Sequence, residues 1–464
     1  MHAGVTVKMT ISPELRETPS GKEQLRPFQI RSYDHLLQFP PIAIDTPSGR
    51  RPITEPLVDA IVVPTVRSAE HLRSVAQFAA DTRCHLIMAY TGSLPAGLAD
   101  ILAGLRPDQV TLLTVRTAAQ NRLLDLGASL PQSLVAPAAL DISKKRNLGL
   151  LIGRVCGWTR MLFLDDDIRK LNVAKLSSAA ALLDDYPVVG LQVRKYPDAS
   201  VVGHARRLTG RRQEPFISGG SLLVNPQLLD GYFAPVYHED WLCVINHLRK
   251  GEVAIGGSVG QLPYAPFTTP ERAKFEEFGD TLLCGLLWLV HTRSGKGAGD
   301  KSCPMPESDF WREATNPRFW KQILEQRAVL LADITAHLAK KDFYDPSPLP
   351  SLAAAKERLG ELTPANFALF TERWLTSLAI WRGRLSSLSQ VDHTDTAQAI
   401  DKALGELGLA DVVCTHEIFS RRGSARRFRR MTGLASRLRS VADSRQRFGR
   451  RSWLLAKVRE IGRR

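Results

Sequence analysis

An apolar run, Arg160-Met-Leu-Phe-Leu164, leads straight into Asp165, Asp166 and Asp167. Three neighbouring carboxylates raise one another's pKa, so delivering them to one loop is costly unless positive charge meets them there. The economical occupant of such a loop is a divalent cation with a phosphate-bearing substrate. Upstream, Leu148, Leu151, Ile152 and Val155 recur at the spacing of one helix face, and Gly157 breaks the pattern. The stretch from Lys145 to Ile168 therefore reads as helix, turn, short strand and acidic loop, the order of elements in an α/β fold.

The flanking sequence repeats that order. Leu57–Val63 reads as a first strand, stopped by Pro64-Thr65, and Ser68–Phe78 as a helix that Ser68 caps. His85–Ala89 is a second strand, running into Tyr90-Thr-Gly-Ser93, and Gln109–Val115 a third. Strands separated by helices predict a mostly parallel sheet, whose ligands bind beyond the carboxyl ends of the strands. Asp165–Asp167 and the Tyr90 loop both fall at such ends, so one cleft is expected to hold both.

Composition sets outer limits. A chain of 464 residues that is 44% hydrophobic can bury a large core without metal or disulfide help. The six cysteines form no CxxC pair and read as thiols in a reducing compartment. The N-terminus lacks the apolar centre of a signal peptide, and the longest apolar stretch, Leu282–Val290, is too short to span a bilayer. A cytoplasmic chain is expected. The net charge of +15 is local, because residues 421–464 hold 16 Lys and Arg against Asp443 and Glu460. In this tail Leu434, Leu438, Val441 and Trp453–Leu455 interleave with the arginines, which suits an anionic surface at the inner face of a membrane. Nucleic acid is the lesser alternative, because no aromatic-rich recognition module accompanies the charge.

Further along, Val188–Arg194 is a strand, and Arg206, Arg207, Arg211 and Arg212 offer either phosphate counter-charge or a solvated surface. In Phe216–Val224 a Gly219-Gly220 pair permits close approach of a ligand or backbone. Glu239-Asp240 then precede a helical segment, Leu242–Arg249, with His238 and Trp241 beside them. The remainder reads as helical: Thr281–Val290, Phe319–Lys340 and about 352–410, with Pro346–Pro350 as a linker. Gly295–Gly299 reads as a loop able to close over a ligand, but it lacks the phosphate-loop pattern. The expected divisions are 1–56 as an extension, 57–265 as the α/β domain, 266–420 as a helical extension and 421–464 as the basic tail.

An opening Val62-Val-Pro-Thr65, then Arg146-Asn147 and Gly149, then Leu164-Asp-Asp-Asp167, then Ser218-Gly-Gly220, then Glu239-Asp240 resemble, in that order, the family 2 type of nucleotide-sugar glycosyltransferase with the GT-A fold. The resemblance covers about residues 57–265. It implies a metal-dependent transfer of sugar from a nucleotide-diphosphate donor to an acceptor hydroxyl, with inversion. It also implies Mg2+ or Mn2+ on Asp167, with Asp165 on the metal side through water or at the ribose, and Asp166 as a neighbouring contact. Pro64, Thr65, Tyr90, Thr91 and Arg146 would line the nucleotide, and Gly219 and Gly220 the donor-sugar and acceptor side. Asp240 would be the general base, and Glu239 would orient the acceptor or Asp240.

One departure stands out. The family carries one or two aspartates at the end of the second strand, where this chain has Tyr90-Thr91. Tyr90 is expected to stack on the base and Thr91 to hydrogen-bond to it, leaving UDP-, GDP- and dTDP-sugars open. The acceptor is equally open between a small molecule and a lipid-linked glycan. The alternatives are a sugar nucleotidyltransferase, against which the absence of a Gly-Lys grip after the first strand counts, and a noncatalytic membrane- or nucleic-acid-binding protein built around the tail.

Overall fold

Ala60–Thr65 (β2) is buried along its whole length, as a β-branched run flanked by strands on both sides must be. It pairs in parallel with His85–Thr91 (β3) on one side and with Met161–Leu164 (β5) on the other. The β2–β5 pairing ends at Val62↔Phe163, two residues before Pro64, which has no N–H to continue a ladder. The two strands part there, and the loop of Asp165–Asp167 opens beside the end of β2.

The computed structural model describes residues 37–38 and 56–415, apart from 116–125, 127–129, 132, 136, 195–199, 211–216, 293–304, 342–346, 393–394 and 410–411. The remaining strands are β1 (Leu37–Gln38), β4 (Val110–Val115), β6 (Ile168–Arg169), β7 (Val188–Arg194), β8 (Ile217–Val224), β9 (Val253–Gln261) and β10 (Val412–Thr415). Among the described residues they form one mixed sheet in the order β1-β9-β7-β8-β5-β2-β3-β4-β10, with β6 on β9. β8 runs antiparallel to both β5 and β7, and β10 antiparallel to β4. The chain moves outward from β2 through β3 to β4, then returns to place β5 on the opposite flank of β2. That reversal puts a crevice over the carboxyl ends of β2 and β5.

The pleat sorts the core into two layers. Ile61, Val63, Leu86, Met88, Leu162 and Leu164 face α1 (Arg73–Thr82), α2 (Leu98–Leu102) and α4 (Val173–Ala181). Val62, Ile87 and Phe163 face α3 (Pro137–Val155) and α6 (Glu239–Arg249), where the helical C-terminal part joins the same core. That part comprises α7 (Pro270–Thr292), α8 (Glu307–Ala314), α9 (Pro317–Leu338), α10 (Pro348–Glu361), α11 (Pro364–Ser387) and α12 (Thr396–Glu406). Leu282, Trp320, Trp374 and Ile400 pack in one cluster with Val155 and Phe233, so residue 266 marks no break between cores. A third cluster joins α5 (Val201–Leu208) to α7, α9 and α10.

Several local expectations change. Ser68 does not cap a helix; its hydroxyl meets His71 Nδ1 at 3.0 Å, and a 3₁₀ turn, Ala69–Leu72, precedes α1. Pro348 is not linker but the first residue of α10, capped by Ser347, the position where a missing N–H does no harm. β9 carries no strand signature, because Gly256 and Gly257 interrupt it; a Cβ at Gly256 would stand 2.7 Å from both Ala179 and Val189 side chains. No helix among the described residues is long and apolar enough to cross a membrane. Most of the N-terminal extension, Gly295–Gly299, Arg211, Arg212 and the basic tail lie outside the described residues.

Candidate functional site

Asp165, Asp166 and Asp167 follow β5 as a tight turn, in which Ile168 N donates to Asp165 O at 3.2 Å. Each carboxylate is held differently. Asp165 N donates to Gly220 O at 2.9 Å, so β8 lies directly against the turn, and a Cβ at Gly220 would stand 2.6 Å from Asp165 Oδ2. Asp166 accepts from Thr65 Oγ1 at 2.6 Å through Oδ2, and its Oδ1 forms an ion pair with Arg67, 3.0 Å from Nε. Asp167 Oδ2 accepts from Gln261 Nε2 at 3.2 Å, with Arg67 Nη2 3.7 Å away. Asp167 Oδ1 is buried without a hydrogen-bond partner among the described residues. Burial raises the pKa of both Asp166 and Asp167, with Asp165 adding to it.

Arg146 projects from α3 across this turn. Its Nη2 donates to Asp165 Oδ1 at 2.8 Å and its Nη1 to Glu239 Oε1, while Phe233 lies under the guanidinium. Burial alone would lower this guanidinium's pKa, yet Asp165, Glu239 and Asp240 hold it above its ordinary value. Burial pushes Glu239 up to about 8 against the pull of Arg146. Glu239 and Asp240 begin α6 because His238 takes a left-handed conformation at φ 67, which turns the chain abruptly into the helix. Asp240 Oδ2 accepts from Gly219 N at 2.6 Å and its Oδ1 from Trp241 N at 2.8 Å. Gly219 leaves room for both Asp240 and Arg146, so the Gly-Gly pair is a floor that no side chain could replace.

Behind α6 lies a second tier. His238 Nε2 meets Asp280 Oδ1 at 3.3 Å, and Asp280 Oδ2 accepts from Ser200 Oγ at 2.8 Å and Arg327 Nη2 at 2.6 Å. Arg327 also forks onto Glu277, with both bonds at 2.7 Å. Burial would raise Asp280, but Arg327 and His238 hold it below the usual carboxylate range. Asn147 sits within α3 and clasps Phe233 by both backbone groups, Nδ2 to O at 2.9 Å and N to Oδ1 at 2.8 Å. The segment leading to the acid pair is thus pinned from α3 and from α7.

The end of β3 corrects the expectation for Tyr90. Its pleat position faces α1 and α2, and the ring is 1% exposed in that apolar layer, so it offers no face for stacking. Thr91, one residue on, points the other way and donates to Asp141 Oδ1 of α3. Lys145 is buried on α3 and bridges Asp141 Oδ2 at 2.6 Å and Thr65 O at 2.9 Å. Asp141, Arg67 and Gln261 were not singled out from the sequence. Asp141 and Lys145 are four apart on one helix face, which was the available signal. Trp241 is core, and Arg206 and Arg207 lie in the last turn of α5, against α7, α9 and α10.

Among the described residues six carboxylates, Asp141, Asp165, Asp166, Asp167, Glu239 and Asp240, thus share the crevice with Arg67, Lys145 and Arg146, while Arg169 Nη1 donates to Asp166 O at 2.8 Å. Among the described residues no three His, Cys, Asp or Glu side chains form a ready cation cage. A small hard cation held by one or two carboxylates and substrate phosphates needs no such cage. The orphaned Asp167 Oδ1 and the surplus of negative charge fit that kind of ion. Comparison of the sequence with protein-family models gave no match, and comparison with curated proteins gave none either.

Proposed function

We propose that the chain is a divalent-cation-dependent glycosyltransferase of the family 2 type, with the GT-A arrangement, moving sugar from a nucleoside diphosphate to an acceptor hydroxyl. The observation that carries the reading is the meeting of the Asp165–Asp167 turn, with its unpartnered Asp167 oxygen, and Asp240 across the Gly219-Gly220 floor. Asp167, with Asp165 on its flank, would hold Mg2+ or Mn2+, which when bound supplies charge neutralisation for the departing diphosphate.

The chain's own groups divide the remaining work. Thr65 and Arg146 fix the acidic turn from two sides, keeping its carboxylates apart from one another. Asp240, aimed by the backbone of Gly219 and Trp241, takes the proton of the acceptor hydroxyl. The acceptor oxygen then bonds to the anomeric carbon as the bond from that carbon to phosphate oxygen breaks, and the electron pair leaves with the diphosphate. Attack from the face opposite the diphosphate inverts the anomeric centre. Glu239, tied to Arg146, holds the acid pair in register with the turn. Thr65-Val66-Arg67 provides no Gly-Lys grip, which disfavours a nucleotidyltransferase.

Calorimetry with UDP-, GDP- and dTDP-sugars, with and without Mn2+, tests this. Wild type is expected to bind one donor class only with Mn2+, Asp167→Ala to lose that binding, and Asp240→Asn to keep binding but lose slow donor hydrolysis. Folded wild-type protein that binds no donor under either condition would defeat the reading.

A further inference from the structure

Of Arg67, Lys145 and Arg146, two are locked. The side chains of Lys145 and Arg146 are 1% and 3% exposed and each already bridges two partners. Arg67 differs: its side chain is 43% exposed, and it reaches Asp166 Oδ1 at 3.0 Å and Asp167 Oδ2 at 3.7 Å from the rim. Its backbone is nonetheless anchored, because its N–H donates to Thr65 Oγ1 at 3.1 Å, the hydroxyl that itself donates to Asp166. The loop is therefore fixed while the side chain is not.

Resting on the metal-dependent reading above, we infer that Arg67 is an exchangeable counter-ion, seated on Asp166 and Asp167 when no divalent cation is bound and displaced to the phosphates of the nucleotide when one is. The argument is one of charge and access. Arg67 spans Asp166 Oδ1 and Asp167 Oδ2, and Asp167 is the residue that would hold the cation. A guanidinium and a divalent ion on the same carboxylates repel each other, and of Arg67, Lys145 and Arg146 it is Arg67 whose side chain reaches solvent. With its cation side open to solvent, such an ion pair is weak enough to be exchanged. The freed planar fork matches phosphate oxygens in pairs, which a point charge does not. Exchange would also prevent the protein from holding the ion tightly before the nucleotide arrives.

The test is Mn2+ binding followed by electron paramagnetic resonance, without nucleotide, then titration with UDP, GDP and dTDP at saturating Mn2+. Arg67→Ala should bind Mn2+ about fivefold more tightly than wild type, since a competing ion pair is gone. The same variant should bind the nucleoside diphosphate at least about tenfold more weakly. Arg67→Lys should keep wild-type Mn2+ affinity and still lose nucleotide affinity. Equal or weaker Mn2+ binding by Arg67→Ala, with melting unchanged, overturns the exchange while leaving the transferase reading intact. Wild type that binds no Mn2+ even with nucleotide overturns both.

Discussion

Replacing Arg327 by Met removes the one guanidinium that serves both Glu277 and Asp280, and the consequence depends on pH. Arg327 and Glu277 are essentially fully buried, at 2% and 0% side-chain exposure, with three short bonds from the guanidinium to the two acids. Breaking such a pair on one side typically costs about 3–5 kcal/mol, because the stranded carboxylate has lost its water. Glu277 has an escape, since burial already raises its pKa from 4.5 and a proton would neutralise it. Taking that proton at pH 7 costs about 1.36 kcal/mol for each unit above 4.5, roughly 3.4 kcal/mol, and at pH 5 only about 0.7 kcal/mol. Asp280 keeps Ser200 and His238 in either case. Urea unfolding of Arg327→Met against wild type should therefore show a loss of about 3 kcal/mol at pH 7 that shrinks by more than half at pH 5. A loss of equal size at both pH values, or one under about 1 kcal/mol at pH 7, would refute the argument that a stranded carboxylate sets the cost. Adding Glu277→Leu to Arg327→Met should restore most of the pH 7 stability.

Two further outcomes follow from the crevice. Gly220→Ala places a methyl 2.6 Å from Asp165 Oδ2, so the acidic turn must shift; donor affinity by calorimetry should fall at least about tenfold, with a Tm change of a few degrees at most. Glu239 carries a raised pKa, so the folded state holds a proton that the unfolded state releases between 4.5 and about 8. Its contribution is fully present below 4.5 and declines as pH rises through that window. Glu239→Gln should thus flatten the stability-against-pH curve there by up to about 1.4 kcal/mol per unit, and an unchanged slope in urea unfolding would contradict the assignment.

What the sequence showed and what it hid divide along a physical line. β2, β3, β4, β5 and β8 announce themselves because buried strands are apolar runs stopped by turn residues, and the acidic turn is legible because apolar chain leads into it. Tyr90 was misread for a reason of parity. A strand alternates faces, so its last two residues, Tyr90 and Thr91, must part company, and periodicity alone does not say which layer is the crevice side. Asp141 and Lys145 were hidden because their partners, Thr91 and Thr65, come from other strands, 50 and 80 residues away. β9 was hidden because Gly256 answers to Ala179 of α4 and Val189 of β7 packed against it rather than to the strand it interrupts. Arg327, Glu277 and Asp280 lie on long helices where charged residues ordinarily face water, and only the packing of α7 on α9 reveals that these do not.

The pairing of β10 with β4 has a consequence in time. Val412–Thr415 lies antiparallel along Val115–Leu112, so the strand that covers the outer side of β4 is encoded about 300 residues after β4 itself. At about 5–20 residues per second, a ribosome takes roughly 15–60 s to cross that distance. Throughout that interval the nascent chain carries an uncovered β edge with a buried-type sequence, Val110-Thr-Leu-Leu-Thr-Val115. Such an edge invites pairing with other chains. Slow synthesis or early termination before Val412 should therefore send this protein to aggregates and chaperones rather than to a shortened, working form.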